Sequence, residues 1–240
     1  MTAGDSLCDF LELCPAPVIG VTGTKGKSTL ANFLAAMLKQ KFSLVVRVDS
    51  KHSLAKDFSE ITKDTALILE LAAPQIAETR QCKKSPYVAV ITNLLTKGYP
   101  ASYHNFQEYL ADEKLIFKFQ KGKDYLFLNF SDPVQKAISR EATSRIYFYS
   151  TDGDELLQTD LPELNQKARL GAYVKGKKIY YGAAQNEICS LADIKALGRQ
   201  NLPSVLAAIS IADLYTVPAE KIKTAIKQLT EQQFKVIKRI

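Results

Sequence analysis

Residues 18–30, Val-Ile-Gly-Val-Thr-Gly-Thr-Lys-Gly-Lys-Ser-Thr-Leu, constrain the fold more than any other stretch. Val18–Thr22 is an apolar run of strand length. Gly23 and Gly26 then allow the backbone to curl with its N–H groups turned inward and no side-chain bulk in the way. A helix over Ser28–Lys39 follows directly, so its positive end faces the turn. Lys27 is placed to meet the β- and γ-phosphates of a nucleotide, and Ser28 or Thr29 to offer a hydroxyl to Mg²⁺. Gly23, Thr24, Lys25, Gly26, Lys27, Ser28 and Thr29 are therefore the candidate nucleotide-binding residues, with ATP and Mg²⁺ the expected cofactors. The bland alternative is a glycine turn carrying an incidental lysine. The spacing is not the common G-x-x-x-x-G-K-[ST], because Val21 stands seven residues before Ser28.

The charge balance suits an anionic ligand. Lys and Arg number 32 against 25 Asp and Glu, a net charge of +7. The same excess would suit nucleic acid, but the basic residues are spread out and no nucleic-acid motif accompanies them. Their mild concentration over Lys221–Arg239 fits a solvated helix face. Apolar runs such as Val205–Ala208 are too short to cross a membrane, and Met1–Leu7 shows no secretory pattern. A cytoplasmic protein is expected. Cys8, Cys14, Cys82 and Cys189 form no C-x-x-C pair and are expected to be reduced thiols, neither a disulfide frame nor a zinc site.

Downstream, apolar runs alternate with helical patterns. Ser43–Val48, Ala66–Leu71, Tyr87–Thr92, Tyr125–Asn129 and Arg145–Tyr149 read as strands. Asn105–Phe119 reads as a helix with Phe106, Leu110, Glu113 and Phe117 on one side. Continuous apolar runs between helices predict an α/β fold: a mostly parallel sheet flanked by helices. Ala172–Tyr181 holds a hairpin signal around Lys175-Gly176-Lys177. Asn201–Tyr215 predicts a buried helix and Pro218–Leu229 an amphipathic one. The expected layout is an N-terminal extension over 1–17 and one domain over 18–240.

Five segments, in order, resemble the central ATPase domain of the Mur ligase family, nearest to its D-glutamate-adding branch. They are Gly23-Thr-Lys-Gly-Lys-Ser-Thr29; Leu69-Glu-Leu-Ala-Ala-Pro-Gln-Ile76; Ile91-Thr-Asn-Leu94; Tyr103-His-Asn-Phe-Gln-Glu-Tyr109 with Lys114-Leu-Ile-Phe117; and Gly198-Arg-Gln-Asn-Leu-Pro-Ser-Val-Leu-Ala-Ala208. The resemblance implies an ATP-dependent amide ligase of peptidoglycan precursor synthesis. ATP phosphorylates a carboxylate, an amine attacks the acyl phosphate, and an amide and phosphate result. A UDP-muramoyl substrate and an amino acid are the implied partners.

The resemblance also implies roles. Glu70, at a strand end, helps hold Mg²⁺ with Ser28. Lys114 matches a lysine that is carbamylated in the family and serves a second metal; an unmodified surface lysine is the alternative. Asn201 matches an asparagine that contacts adenine, and it also suits a helix cap. Arg239 matches a hinge arginine. His104 reads as structural or capping.

The departures are specific. Tyr99-Pro100 stand where a metal-binding Asp-His pair is expected. Asp49-Ser-Lys-His-Ser53 stands for a G-N-I-G loop, Ala72 and Ala73 for two serines, and Gln200 for a histidine. Family domains that bind UDP and the incoming amino acid are not seen in 1–240, so a separate chain supplying them is one expectation. Three readings stay open: a ligase ATPase domain, a nucleotide-binding regulator or pseudoenzyme, and an interaction scaffold.

Overall fold

The apolar runs do form strands: β1 Val18–Thr22, β2 Val45–Val48, β3 Ala66–Glu70, β4 Val88–Ile91, β5 Tyr125–Asn129 and β6 Arg145–Ser150. Three more follow, β7 Ala168–Lys175, β8 Lys178–Tyr181 and β9 Asn186–Ser190. The computed structural model describes residues 6–48 and 61–237, and side chains of the last helix as far as Glu231. The predicted residue Arg239 and the whole 49–53 segment lie outside the described residues.

All nine strands join one sheet in the order β2-β3-β1-β4-β5-β6-β7-β8-β9. Pairing is parallel from β2 to β7, then antiparallel from β7 to β9. The chain leaves β1 toward β2 and β3 on one side and resumes at β4 on the other. The order thus reverses beside the C-terminal end of β1, which is where open α/β sheets take their ligands. The hairpin around Gly176 forms as expected, with Gly176 at φ 60. β9 escapes sequence reading because only Ile188 and Cys189 of its five residues are buried.

Helices cover both faces. They are α1 Leu7–Leu13, α2 Lys27–Leu38, α3 Ala73–Ala77, α4 Thr79–Cys82, α5 Phe106–Glu113 and α6 Leu115–Lys118. The rest are α7 Pro133–Ile138, α8 Gly153–Gln158, α9 Leu161–Leu164, α10 Leu202–Leu214 and α11 Ala219–Ile237. Alternation sorts the strand side chains between two cores. Ile19, Val21 and Ile68 pack with α2, α10 and α11 on one face. Val18, Leu67 and Leu69 pack with α1, α3, α5 and α6 on the other. Helix α10 is buried along Val205–Ala212, and Ser210 within it accepts from Ala172 N–H at 2.7 Å while donating to Leu206 C=O at 2.8 Å. That satisfies the one hydroxyl of the buried stretch.

Two expectations are corrected. The helix over 105–119 divides at Lys114, where Phe117 N–H bonds back to Lys114 C=O in a tighter i→i+3 turn. The thiols are not all reduced: Cys8 of α1 and Cys82 of α4 form a disulfide, with Cα atoms 5.8 Å apart, while Cys14 and Cys189 are free. The pairing is tertiary. Leu7 and Phe10 of α1 bury themselves in the second core, and Leu7 N–H donates to Glu78 Oε2 at 3.2 Å, which seats α1 against α4. Spacing along the sequence carries no trace of that approach.

Candidate functional site

The loop between β1 and α2 is clamped from β4. Gly23 has φ 124, and a Cβ there would lie 2.3 Å from Thr92 Oγ1 and 2.8 Å from Asn93 C=O. Only glycine permits both the left-handed conformation and that approach. Thr24 N–H donates to Asn93 C=O, Lys25 N–H donates to Asn93 Oδ1, and Asn93 Nδ2 and Thr92 Oγ1 both donate to Lys25 C=O. The Ile91-Thr-Asn-Leu94 segment therefore fixes the loop's shape. Gly26, at φ 86, turns the chain into α2. The first N–H groups of that helix have no intrahelical partner and point out of its end. Lys27 folds back over the loop, its Nζ 2.7 Å from Gly23 C=O.

The structure separates the two candidate hydroxyls. Ser28 Oγ donates to Glu70 Oε2 at 2.5 Å, at the C-terminal end of β3. Thr29 instead lines a cleft of about 670 Å³ with Asn32, Phe33, Lys39, Asn201 and Leu229. So the predicted pair Ser28 and Glu70 does come together, and Thr29 joins Asn201. Asn201 does not cap α10 with its side chain; its Nδ2 donates to Leu197 C=O at 2.6 Å. That bond fixes the amide at the cleft wall and leaves its oxygen as an acceptor.

Glu70 has a partner that the sequence did not suggest. Arg47 of β2 donates from Nε to Glu70 Oε1 at 2.6 Å, with Nη2 at 2.5 Å, and from Nη1 to Asn32 Oδ1 at 2.5 Å. Alternation puts Arg47 on the α2 face, the only charge in Val45-Val-Arg-Val48. A charge inside an apolar strand was the available signal.

Glu113 is the second residue missed. It is buried, with Oε2 2.7 Å from Thr22 Oγ1, and it also bonds to Tyr109. Tyr109 OH in turn meets Thr24 Oγ1 at 3.0 Å, so helix α5 supports the loop from beneath. Thr22 Oγ1 lies 3.0 Å from Leu71 C=O as well, and one hydroxyl proton serves only one acceptor. Burial pushes the Glu113 carboxyl up from its ordinary range, against the hydrogen bonds from Tyr109 and Thr22 and the charge of Lys27. An acid on the apolar side of a helix was its signal.

A stability test follows from the sign of that shift. Folded Glu113 keeps its proton to higher pH than the unfolded chain does. Stability therefore falls as pH rises from the ordinary glutamate range to the folded value. Glu113→Gln, which mimics the protonated acid, should flatten that part of the profile and be the more stable form at neutral pH. Denaturant melts of both proteins across this range with the same slope would show that Glu113 is ionised when folded.

Lys114 pairs with Glu141. Its Nζ lies 2.9 and 2.7 Å from the two carboxylate oxygens of Glu141, a partly exposed ion pair. Tyr99 stacks on Tyr109 with centroids 5.5 Å apart and also packs near Phe106, so aromatic rings fill the place expected for a metal-binding pair. His104 donates its backbone N–H to Glu108 Oε2, while Asn105 is the side-chain N-cap of α5. Among the described residues, no three His, Cys, Asp or Glu side chains cluster as a metal site, and no helix is long and apolar enough to cross a membrane.

A family model described as the Mur ligase middle domain matches residues 21–212. A UDP-N-acetylmuramoylalanine–D-glutamate ligase of Symbiobacterium thermophilum is 28% identical over 229 residues, 94% of this chain and 47% of that protein. One from Clostridium botulinum strain 657 is 29% identical over 208 residues, 86% of this chain and 41% of that protein. The chain thus spans under half the length of these relatives. The solved UDP-N-acetylmuramoylalanyl-D-glutamyl-2,6-diaminopimelate–D-alanyl-D-alanyl ligase of Acinetobacter baumannii superposes with a TM-score of 0.58 at 16% identity, covering 92% of this chain and 48% of that one. That likeness concerns the fold.

Proposed function

The chain belongs to the Mur ligase family by its middle domain, and from that premise we propose that it binds ATP with Mg²⁺ and supplies the phosphoryl-transfer half of an amide ligase. One observation carries the reading. Lys27 and the Ser28–Glu70 pair converge at the end of α2, beside the reversal point of the sheet.

The N–H groups at the start of α2 and Lys27 Nζ would hold the triphosphate oxygens of ATP. Thr29 and Asn201 of the cleft would hold the base, the Asn201 amide oxygen being placed to accept from an exocyclic amine. A further cleft of about 600 Å³, lined by Cys189, Asp193 and Lys223, shares no residue with the loop. Ser28 Oγ and the Glu70 carboxylate are hard oxygen donors and fit an ion that completes its shell with phosphate and water. Bound there, Mg²⁺ would neutralise charge on the β- and γ-phosphates.

Lys27 steadies the γ-phosphoryl group as it passes to a substrate carboxylate oxygen, with ADP as the leaving group. An amine then attacks the acyl carbon, and the tetrahedral intermediate expels phosphate to leave an amide. The carboxylate donor is proposed to be a UDP-muramoyl compound and the amine an amino acid such as D-glutamate, by analogy with the relatives named above. Segments beyond this chain, or a separate chain, would hold them. Lys114 enters as an ordinary cation. A carbamate on it would set an anion against Glu141.

A second reading is favoured by the aromatic rings at Tyr99 and Tyr109: a nucleotide-binding regulator that no longer ligates. ADP release stimulated jointly by a UDP-muramoyl compound and D-glutamate would exclude it. Glu70→Gln tests the main reading. It should weaken ATP binding by roughly tenfold with Mg²⁺ present, the scale of one charge-assisted contact, and change it little in EDTA. An equal loss in both media would make Glu70 structural only.

A further inference from the structure

Both carboxylate oxygens of Glu70 are already engaged in the nucleotide-free chain. Its Oε1 is taken by two guanidinium nitrogens and its Oε2 by Ser28 Oγ, and the carboxylate side chain is only 2% exposed. Asn32, one helical turn after Ser28, holds the third guanidinium nitrogen. Three elements, β2, β3 and α2, thus agree on a cation at the mouth of the loop, and the cation is Arg47.

We propose that Arg47 is a built-in counter-ion that makes metal capture at Ser28 and Glu70 depend on the nucleotide. The inference rests on the ATP·Mg²⁺ reading of the loop for its purpose, though not for its geometry. A buried carboxylate left uncompensated is strongly destabilising. In the nucleotide-free chain the compensating charge comes from Arg47. A bare divalent ion competes poorly for that place. It must shed tightly held water, whereas a guanidinium is weakly hydrated and already held by two partners. A metal arriving on ATP differs on both counts. Phosphate oxygens already replace part of its water, and the loop N–H groups and Lys27 add binding energy that free metal lacks. Arg47, whose side chain is 32% exposed, then yields Glu70 and turns toward solvent or phosphate. The consequence is ordered loading: nucleotide and metal enter together, and free metal does not occupy the site.

The test uses Mn²⁺ as the probe, followed by its electron paramagnetic resonance signal on the whole 240-residue chain without nucleotide. The unaltered chain should show no saturable Mn²⁺ binding. Arg47→Gln should gain affinity by about tenfold or more, the scale of one charge-assisted pair. Arg47→Gln combined with Glu70→Gln should lose the gain, and Arg47→Lys should suppress binding again by restoring a cation. Equal Mn²⁺ affinity in the unaltered chain and a folded Arg47→Gln protein would overturn the proposal, as would saturable binding to the unaltered chain. A measurement that needs no variant covers the case in which Arg47→Gln does not fold. The Arg47 Nε–H resonance should shift with Mg·ATP and hold its place with ATP in EDTA; one that stays put in both would equally overturn it. ATP titrated with Mg²⁺ present keeps the two ideas apart. No binding there removes the nucleotide reading, while the nucleotide-free Mn²⁺ comparison still decides the role of Arg47.

Discussion

Replacing Lys27 by alanine is expected to lower ATP affinity by roughly 10–150-fold, the equivalent of about 1.5–3 kcal/mol for one charge-assisted contact. The lower half of that range is favoured by what Lys27 does in the free chain. Its ammonium already donates to Gly23 C=O at 2.7 Å. It has three donors, so it can keep that bond and still face a phosphate, but its net gain on binding is smaller than that of an unpaired cation. The variant should still fold. Lys27 opens α2, where alanine is a good helix former, and the loop's shape is set from Thr92 and Asn93 and not by the lysine. Calorimetry with ATP and Mg²⁺ checks the point. Equal affinity in both proteins would remove the nucleotide site altogether.

What could be read from the sequence was whatever depends on near neighbours. The loop Gly23–Thr29 was legible because strand, turn and helix follow one another without a gap. The parallel sheet was legible because buried strands such as Val18–Thr22 and Ala66–Glu70 are continuous apolar runs. The meeting of Ser28 with Glu70 was anticipated only through likeness to a family, since 42 residues separate them. Arg47, Glu113 and the Cys8–Cys82 bond stayed hidden for a common reason. Each depends on which face of which element a residue takes, and on what another element brings opposite. Glu113 and Lys114 show how fine the distinction is. They are adjacent, yet one bonds to Thr22 at the start of the loop and the other pairs with Glu141. Lys114 had a family counterpart, and Glu113 had only its place on the apolar side of a helix.

The loop also carries a stability prediction larger than any single contact in it. Gly23→Ala sets a Cβ 2.3 Å from Thr92 Oγ1 and 2.8 Å from Asn93 C=O, at a φ of 124 that L-residues avoid. Neither neighbour can give way cheaply. Thr92 Oγ1 is held 2.6 Å from Lys25 C=O, and Asn93 C=O accepts from Thr24 N–H just beyond β4. Overpacking of this kind costs about 1–3 kcal/mol and a strained backbone about as much again, so a loss of roughly 2–6 kcal/mol is expected. For a chain of this size that lowers the melting temperature by about 5–20 °C. Gly26→Ala is the control. Gly26 also has positive φ, 86, but an added Cβ meets nothing closer than 3.8 Å. Only the backbone cost of about 1–3 kcal/mol remains, and the drop should be about half as large. If Gly23→Ala melts within about 2 °C of the parent, less than 1 kcal/mol is at stake and the clamp from β4 is loose. The loop would then be shaped by its ligand, and the ATP contacts drawn from its free form would have to be given up. If instead Gly23→Ala melts far lower than Gly26→Ala, the steric contact with Thr92 and Asn93 is what fixes the loop, and the phosphate cradle exists before any nucleotide arrives.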